Sequence, residues 1–400
     1  MKNPPIVCIA GKNEIAVFGL YVLVKKIGKE NVRVCLNSDD AYHPSWQPSL
    51  FRHASELGVK IVELSELYDQ ERLIFLSLEF DKIIAPSKFI SNQLFNIHFS
   101  MLPAYKGVYT ACWPILNGEK FSGVTLHKIE QGIDTGNIIS QAQIELTDAM
   151  TSRDLYVRCL TESKKLLEQN LASILDQSYE EKQQQSKGST YFSKDSLDFS
   201  SLSIDLKQTA ENICIQARAY NFREYQQPMI DGYKITKGQI MNSKSTHKPG
   251  QYILRDDHLI LSTIDYDVDF QIDASMEIFK YIDEMDIQKI NLLSTKECFD
   301  VNITNQQGWT SLIISSFEGK LLCCETLISL GANINQPNPN GTNPFMYSLS
   351  YASKTGDFKV AELLLKEGCD VDAADMFGFS AIDYAEKNRD NNIIEFLTGL

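Results

Sequence analysis

The chain has 400 residues, of which 43% are hydrophobic and 22% charged, with 21 glycines and 12 prolines. This composition excludes disordered, collagen-like and low-complexity proteins, and the length is enough for two or three domains with sizeable cores. Aspartate and glutamate (52) outnumber lysine and arginine (38), and the formal net charge is −14. A chain this acidic repels phosphate polymers, so we expect no nucleic-acid partner.

The sequence predicts a cytoplasmic protein without membrane association. No stretch approaches the ~18 consecutive apolar residues of a membrane helix, and the first ten residues lack the pattern of a secretion signal. The nine cysteines are scattered singly, apart from Cys323 and Cys324, and no C-x-x-C pattern occurs. A disulfide framework and a zinc ribbon are therefore not indicated.

The first hundred residues alternate strand-like and helix-like patterns. We predict strands over 6–10, 32–36, 60–64, 74–78 and 82–84, and helices over 15–27 and 49–57. Alternation of this kind is typical of an α/β domain in which helices cover both faces of a parallel sheet. In such folds, ligands bind beyond the carboxyl ends of the strands.

A long helix is predicted over 151–174, followed by a polar run at 180–188 that we interpret as an exposed connection. Residues beyond it are richer in strand patterns until about 272. These features predict a first domain over 1–187, a β-rich extension over 188–280 and a third domain over 281–400.

The third domain repeats. Gly308–Leu312, Gly341–Phe345 and Gly378–Ile382 share one pattern at spacings of 33 and 37 residues. This period, with Gly-x-Thr opening a helix pair, resembles the α-helical ankyrin repeat. We expect the four extra residues of the middle repeat to lie near 353–357, between its two helices.

A group of residues suited to acyl transfer follows the alternating region. Asn96 and His98 stand two apart, so on a strand their side chains share one face. Asp134 lies in a Gly-x-Asp-Thr-Gly turn, where glycines allow a sharp bend close to a ligand. In acyl transfer to an amine, an imidazole can remove a proton, an amide can stabilise the oxyanion, and a carboxylate can tune the base.

These motifs resemble the folate-dependent formyltransferases. Asn96-x-His98-x-Ser100-x-Leu102-Pro103 and Gly132-x-Asp134-Thr135-Gly136 match the family signature. Three further segments are similar to the nucleotide-sugar N-formyltransferase branch: Gly11–Glu14, Trp113–Glu119 and Arg218–Phe222. The resemblance covers about residues 1–270. It implies a Rossmann-like catalytic domain with a mixed or parallel sheet and a catalytic triad of Asn96, His98 and Asp134.

The resemblance also implies ligands and their contacts. The co-substrate is N10-formyltetrahydrofolate, with expected contacts at Leu78, Glu79, Phe80, Ile83 and Gly132. The expected substrate contacts are Lys12, Asn13, Tyr105, Lys106, Tyr109, Arg218, Tyr220 and Phe222. Lys106 replaces a common arginine and lacks its bidentate fork. No metal is required.

Some assignments have alternatives. Lys12 fits either a diphosphate contact or a solvated loop lysine. His127 is either a second base or a structural residue at a strand end. Tyr220 and Phe222 could sandwich a nucleotide base, or they could lie in the core or in a dimer interface.

Within the family, the preferred substrate is a dTDP-linked 3-amino-3,6-dideoxyhexose of glucose or galactose configuration, used for bacterial O-antigen or lipopolysaccharide synthesis. A dTDP-4-amino-4,6-dideoxyhexose is the alternative. The expected assembly is a homodimer formed through the β-rich extension. In a different class, the chain could be an ankyrin interaction scaffold with a degenerate enzyme domain.

Trp309 occupies the variable position of Gly-x-Thr, where a large aromatic side chain should gain little from packing. We therefore expect a second site for a ligand or protein around Trp309. The alternative is that Trp309 packs on the catalytic domain.

Overall fold

The structure is a computed structural model that describes residues 5–40, 46–198, 203–296 and 299–399. The chain divides into two compact units. The first comprises residues 1–44, 48–252 and 260–270, and the second comprises residues 45–47, 253–259 and 271–400. Among the described residues, no helix combines the length and the apolar character that crossing a membrane requires.

A seven-stranded mixed sheet forms the centre of the first unit, in the order β3-β2-β1-β4-β5-β7-β8. Its strands are β1 Ile6–Gly11, β2 Val32–Leu36, β3 Lys60–Ile61, β4 Leu73–Leu78, β5 Leu94–His98, β7 Phe121–Lys128 and β8 Ile138–Glu145. Strands β1 to β5 pair in parallel, whereas β7 pairs antiparallel with β5 and β8. This is the Rossmann-like mixed sheet that the sequence predicted.

The strand order reverses where β1 lies between β2 and β4. Such a switch point leaves a crevice at the carboxyl ends of the neighbouring strands. Gly11 ends β1 there, and a Cβ atom on it would lie 1.8 Å from the carbonyl oxygen of Leu78. Only glycine therefore lets β1 leave the sheet this close to β4.

The helices of the first unit are α1 Asn13–Ile27, α2 Leu50–Leu57, α3 Trp113–Leu116, α4 Ser152–Asp176 and α5 Ala210–Ala219. Of these, α1, α2 and α4 pack on the sheet. A capping box between Thr151 and Asp154 starts α4, and its apolar stripe is buried, as helical periodicity predicts. Two strand predictions were wrong: 82–84 forms no strand, and the third strand covers only Lys60–Ile61.

Shorter strands follow α4. Strand β6, Lys106–Gly107, pairs in parallel with β9, Tyr191–Phe192. The β-rich extension forms a five-stranded sheet in the order β10-β11-β14-β13-β12. Its strands are β10 Met229–Ile230, β11 Tyr233–Lys244, β12 Tyr252–Arg255, β13 His258–Leu261 and β14 Tyr266–Ile272.

The second unit contains helix pairs that share an apolar core. The helices are α6 Glu277–Asp283, α7 Ile287–Ser294, α8 Ser311–Phe317, α9 Leu321–Ser329, α10 Pro344–Thr355, α11 Lys359–Lys366, α12 Ala381–Asn388 and α13 Asn391–Thr398. The core includes Leu312, Leu327, Phe345 and Leu364, all at most 1% exposed.

The extra residues of the middle repeat lie inside a helix. Helix α10 has 12 residues, whereas α8, at the same place in the preceding repeat, has 7. Three residues connect the helices in both repeats, at 318–320 and 356–358. The expectation that the excess lies between the helices was therefore wrong.

Candidate active site

A cavity of about 580 Å³ lies at the carboxyl ends of β1, β4 and β5. Asn96, His98 and Asp134 all line it. Asn96 and His98 face the cavity together because they are two residues apart on β5. Asp134 reaches them from the turn after β7, where its φ is 54° and that of Gly132 is 104°.

The imidazole of His98 has one free nitrogen. Its Nε2 lies 2.8 Å from the carbonyl oxygen of Tyr105, and because a carbonyl can only accept, Nε2 carries the proton. In the neutral ring Nδ1 therefore holds the lone pair, 3.5 Å from Oδ2 of Asp134. Burial lowers the pKa of His98 and outweighs the opposing effect of the Asp134 charge. The resting side chain is neutral.

Asp134 is ionised. Burial alone would raise its pKa, but the positive charge that His98 can take up and the backbone N–H of Gly107 hold the pKa well below its usual range. The Gly107 N–H donates to Oδ2 over 2.9 Å. A fixed carboxylate beside Nδ1 stabilises an imidazolium when His98 takes up a proton.

His127 orients the amide of Asn96. Its Nδ1 lies 2.7 Å from the carbonyl oxygen of Lys128 and must donate to it. Its Nε2 is then an acceptor, so Asn96 must turn its NH2 group toward it, at 3.1 Å. The other amide hydrogen faces Oδ1 of Asp134 over a long 3.4 Å contact, which an oxyanion in the cavity can replace.

The polar run at 180–188 supports the catalytic turn. Gln184 Nε2 donates to the carbonyl oxygens of Asp134 at 2.8 Å and Gly136 at 2.7 Å. Lys182 exchanges backbone hydrogen bonds with Ile138. Although largely exposed, this segment is hydrogen-bonded to the turn that contains Asp134 and is more than a connection.

Most of the expected co-substrate contacts line the cavity. Glu79, Phe80, Ile83 and Gly132 do so, whereas Leu78 is 1% exposed in the sheet and does not. Leu78 supports the site through its carbonyl oxygen, which accepts the N–H of Lys12. Ile83 is 79% exposed beside the cavity, and a flat aromatic ligand would cover such a side chain.

The expected substrate contacts divide into two groups. Lys12 and Tyr109 line the cavity; the ammonium of Lys12 forms an ion pair with Asp39 at 2.6 Å. Asn13 contacts Glu79 at 3.4 Å. The ring of Phe222 packs on that of Tyr156, with centroids 5.4 Å apart.

The other four do not line the cavity. The Tyr105 hydroxyl donates to Glu119 at 2.6 Å, so this residue serves the site through its backbone carbonyl. Lys106 donates to Ser189, and Tyr220 is half-buried. Arg218 donates to the carbonyl oxygens of Thr147 and Met150. Contacts of these side chains with substrate remain predictions.

Sequence reasoning missed a wall of the cavity formed by Tyr191, Phe192 and Lys194. Phe192 stacks on Trp113 with centroids 4.1 Å apart, and β9 pairs with β6 beside Asp134. The local sequence does not predict the pairing of β9 with β6, because β9 has only two residues.

The described residues contain no group of three or more side chains suited to a metal ion.

Trp309 is half-buried in the second unit, with its ring centroid 4.6 Å from that of Tyr347 and 5.5 Å from that of Phe317. The expectation that this ring gains little from packing was wrong. A second site around it remains a prediction.

The comparisons with known proteins agree with this geometry. A formyl transferase family model matches residues 42–171, and an ankyrin model of three copies matches residues 281–375. The structure of WlaRD, a sugar 3N-formyl transferase studied with dTDP and 5-N-formyl-THF, is 41% identical, with a TM-score of 0.62; the match covers 66% of this chain and 97% of WlaRD.

Two further relatives are also formyltransferases. An N-formyltransferase from Helicobacter canadensis, complexed with folinic acid and dTDP-3-aminofucose, is 39% identical with a TM-score of 0.63, over 67% of this chain and all (100%) of that one. Methionyl-tRNA formyltransferase of Clostridium tetani is 26% identical over 258 residues, covering 60% of this chain and 82% of the relative.

The fold and the site thus define a formyltransferase, and the chain belongs to that family. Within the family it belongs to the sugar N-formyltransferases, here joined to ankyrin repeats.

Replacing His127 by phenylalanine should lower kcat about tenfold with little change in KM, because the Asn96 amide loses the acceptor that orients it. His127→Gln should recover most of the rate, since its side-chain oxygen can accept from Asn96. Steady-state kinetics of both variants test this role. Equal losses in both variants would contradict it.

Proposed function

We propose that this protein transfers the formyl group of N10-formyltetrahydrofolate to the amine of a dTDP-linked 3-amino-3,6-dideoxyhexose of glucose or galactose configuration. The observation that carries the proposal is the arrangement of Asn96, His98 and Asp134 in one cavity. It combines an oxyanion donor, a neutral base and an ionised carboxylate, the three groups that acyl transfer to an amine uses.

The proposed chemistry follows from the orientations of the three side chains. The amine attacks the formyl carbon while the NH2 group of Asn96 donates to the developing oxyanion. Nδ1 of His98 takes a proton from the new C–N nitrogen, and Asp134, 3.5 Å away, stabilises the imidazolium. His98 then returns this proton to the departing folate nitrogen. No step needs a metal.

The choice of co-substrate and sugar is supported by the two relatives of known structure. Both were studied with a reduced folate and a dTDP ligand, and in one the ligand carries a 3-amino group. Beside the catalytic turn, Phe80, Ile83 and Ile133 present apolar surface to the cavity, which fits a pterin ring.

We further propose a cytoplasmic homodimer that supplies formylated sugar nucleotides for bacterial O-antigen or lipopolysaccharide synthesis. The eight cysteines among the described residues are all unpaired thiols, as a reducing compartment requires. The exposed Met229 and Ile240 on β10 and β11 offer apolar surface for pairing of two chains. Sedimentation analysis tests the dimer.

The decisive assay supplies N10-formyltetrahydrofolate with a panel of dTDP-3-amino- and dTDP-4-amino-6-deoxyhexoses in both configurations. Formylation of a 3-amino sugar supports the proposal. Exclusive formylation of a 4-amino sugar would show that the substrate is a dTDP-4-amino-4,6-dideoxyhexose instead. No transfer to any sugar by folded, folate-binding protein would overturn it and favour an interaction scaffold.

Trp309→Ala should lower the free energy of unfolding of the second unit by about 2 kcal/mol, because the ring packs on Tyr347 and Phe317. Chemical denaturation measures this loss. Phe379→Ala is the matched control, since Phe379 holds the same position in a later repeat. If kinetics and ligand binding are unchanged in folded Trp309→Ala, the second site is excluded.

A further inference from the structure

A second carboxylate lies in the catalytic cavity, one strand away from the base. Strand β4 pairs with β5 so that Ser77 is opposite Asn96 and Leu78 is opposite Ile97. Glu79 follows directly and comes level with His98. Glu79, Asn96 and His98 all line the cavity.

The carboxylate of Glu79 is held in place from two helices. The Tyr156 hydroxyl on α4 lies 2.8 Å from Oε1 and 3.0 Å from Oε2, and Asn13 Nδ2, at the start of α1, lies 3.4 Å from Oε2. Glu79 and Asn13 both have unusual backbone conformations: φ is 60° at Glu79 and 64° at Asn13. Positive φ is costly for residues other than glycine, and such outliers concentrate at functional sites.

Within the part of the chain that the structure describes, the charge of this carboxylate lacks a matching cation. Among the described residues no ion pair includes Glu79; its hydrogen-bond donors, Tyr156 and Asn13, are neutral. Lys12 and Glu14 also act on it, but the ammonium of Lys12 is 2.6 Å from Asp39. Burial raises the pKa of Glu79 to about 7, with the hydrogen bonds from Tyr156 and Asn13 opposing the shift. A cationic group entering the cavity would therefore be stabilised here.

We propose that Glu79 binds the protonated amine of the sugar substrate and removes its first proton, leaving the free amine to attack the formyl carbon. This inference rests on the proposed function, and it gives Glu79 a catalytic role in addition to any contact with the folate.

The proton balance of a reaction that starts from the ammonium leaves one proton for such a group. An alkylammonium must lose two protons to become a formamide nitrogen, whereas the departing folate nitrogen takes up only one. The first proton passes to Glu79 as the ammonium becomes a neutral amine. The lone pair then forms the C–N bond, the carbonyl pair moves to oxygen, and the second proton passes through Nδ1 of His98 to the folate nitrogen as its bond to carbon breaks. Glu79 returns its proton to solvent after product release.

When the substrate binds as an ammonium, two acceptors are needed because His98 offers one. Its Nε2 is committed to the Tyr105 carbonyl, so Nδ1 alone can take a proton. If Nδ1 accepted the first proton, it could not accept the second in the same step.

The test is the pH dependence of kcat/KM for Glu79→Gln with an amino sugar that the wild type formylates. We expect a loss of about 100-fold near pH 7. The loss should shrink as the pH rises, since the substrate then arrives as a free amine. Glu71→Gln is the matched control: Glu71 is exposed just before β4, and this variant makes the same charge change at the opposite end of the strand. Its kinetics should equal those of the wild type.

A second variant keeps the carboxylate. Tyr156→Phe removes a hydrogen bond that lowers the pKa of Glu79, so the acid limb of the profile should move to higher pH. A third measurement compares inhibition by a dTDP sugar that carries hydroxyl in place of the amine. Glu79→Gln should bind this analogue as tightly as the wild type does.

The outcomes are distinct. A pH-independent loss in Glu79→Gln, an unchanged rate, or equal weakening of the hydroxyl analogue overturns the role of Glu79 in proton removal. Failure of the wild type to formylate any amino sugar overturns the proposed function itself.

Discussion

His98→Asn is expected to lower kcat about a thousand-fold, because the variant loses the side chain that takes the proton from the attacking amine. Binding of both substrates should change much less, since His98 acts mainly in the transition state. Initial rates of formylated-sugar production under saturating conditions measure the effect. Thermal unfolding controls for the fold, because His98 is only 7% exposed.

The pH profile tests the contact between His98 and Asp134. Burial lowers the pKa of His98 below the ordinary value of 6.5, so the base stays neutral and active as the pH falls to that value. The part of the acid limb of kcat that His98 sets should therefore lie below 6.5, apart from any limb that Glu79 sets. Asp134→Asn removes a field that raises the pKa of His98, so this variant should move the limb lower still while kcat falls.

A residual rate within tenfold of the wild type in His98→Asn would show that another group is the base. An acid limb of Asp134→Asn at higher pH than that of the wild type would contradict the contact between Nδ1 and Asp134.

Asn96→Ala is expected to lower kcat by about 10²–10³, the usual effect of removing one oxyanion donor. The variant should fold, since a partly exposed amide at the end of β5 is lost and the strand's backbone pairing remains. KM for the amino sugar should change little. Single-turnover measurements separate the chemical step from product release.

Asn92→Ala is the matched control for this variant. Asn92 is exposed just before β5, so the substitution removes the same amide at the other end of the strand. We expect wild-type kinetics there. An equal loss in both variants would mean that the effect arises from the strand and has no connection with the oxyanion.

The local part of the site could be predicted from the sequence. The two-residue spacing of Asn96 and His98 puts them on one face of any strand, and β5 contains both. The glycines around Asp134 correctly indicated a tight turn, since φ is positive at Gly132 and Asp134. The repeat period likewise predicted the helix pairs of the second unit.

The partners of these residues could not be predicted in the same way. His127 was interpreted as either a base or a strand-end residue, whereas it lies opposite Asn96 in the antiparallel register of β5 and β7 and orients its amide. The segment containing Gln184 and β9 was expected to be an exposed connection or part of a separate extension. Its hydrogen bonds join it to the catalytic turn.

By itself, the sequence predicted that Asn96, His98 and Asp134 share one site, that a Rossmann-like sheet presents them at its strand ends, and that helical repeats follow. These properties follow from short-range periodicity and turn chemistry, which can be read from residues close together in the sequence. Only the tertiary structure decided the tautomers of His98 and His127, the direction of the Asn96 amide and the approach of Glu79 to the base. The His98 tautomer depends on the carbonyl of Tyr105 in the following loop, and the His127 tautomer depends on that of the adjacent Lys128. The Asn96 amide and Glu79 depend on side chains from another strand or helix. Such contacts arise from pairing register and loop paths, which leave no pattern in the local sequence.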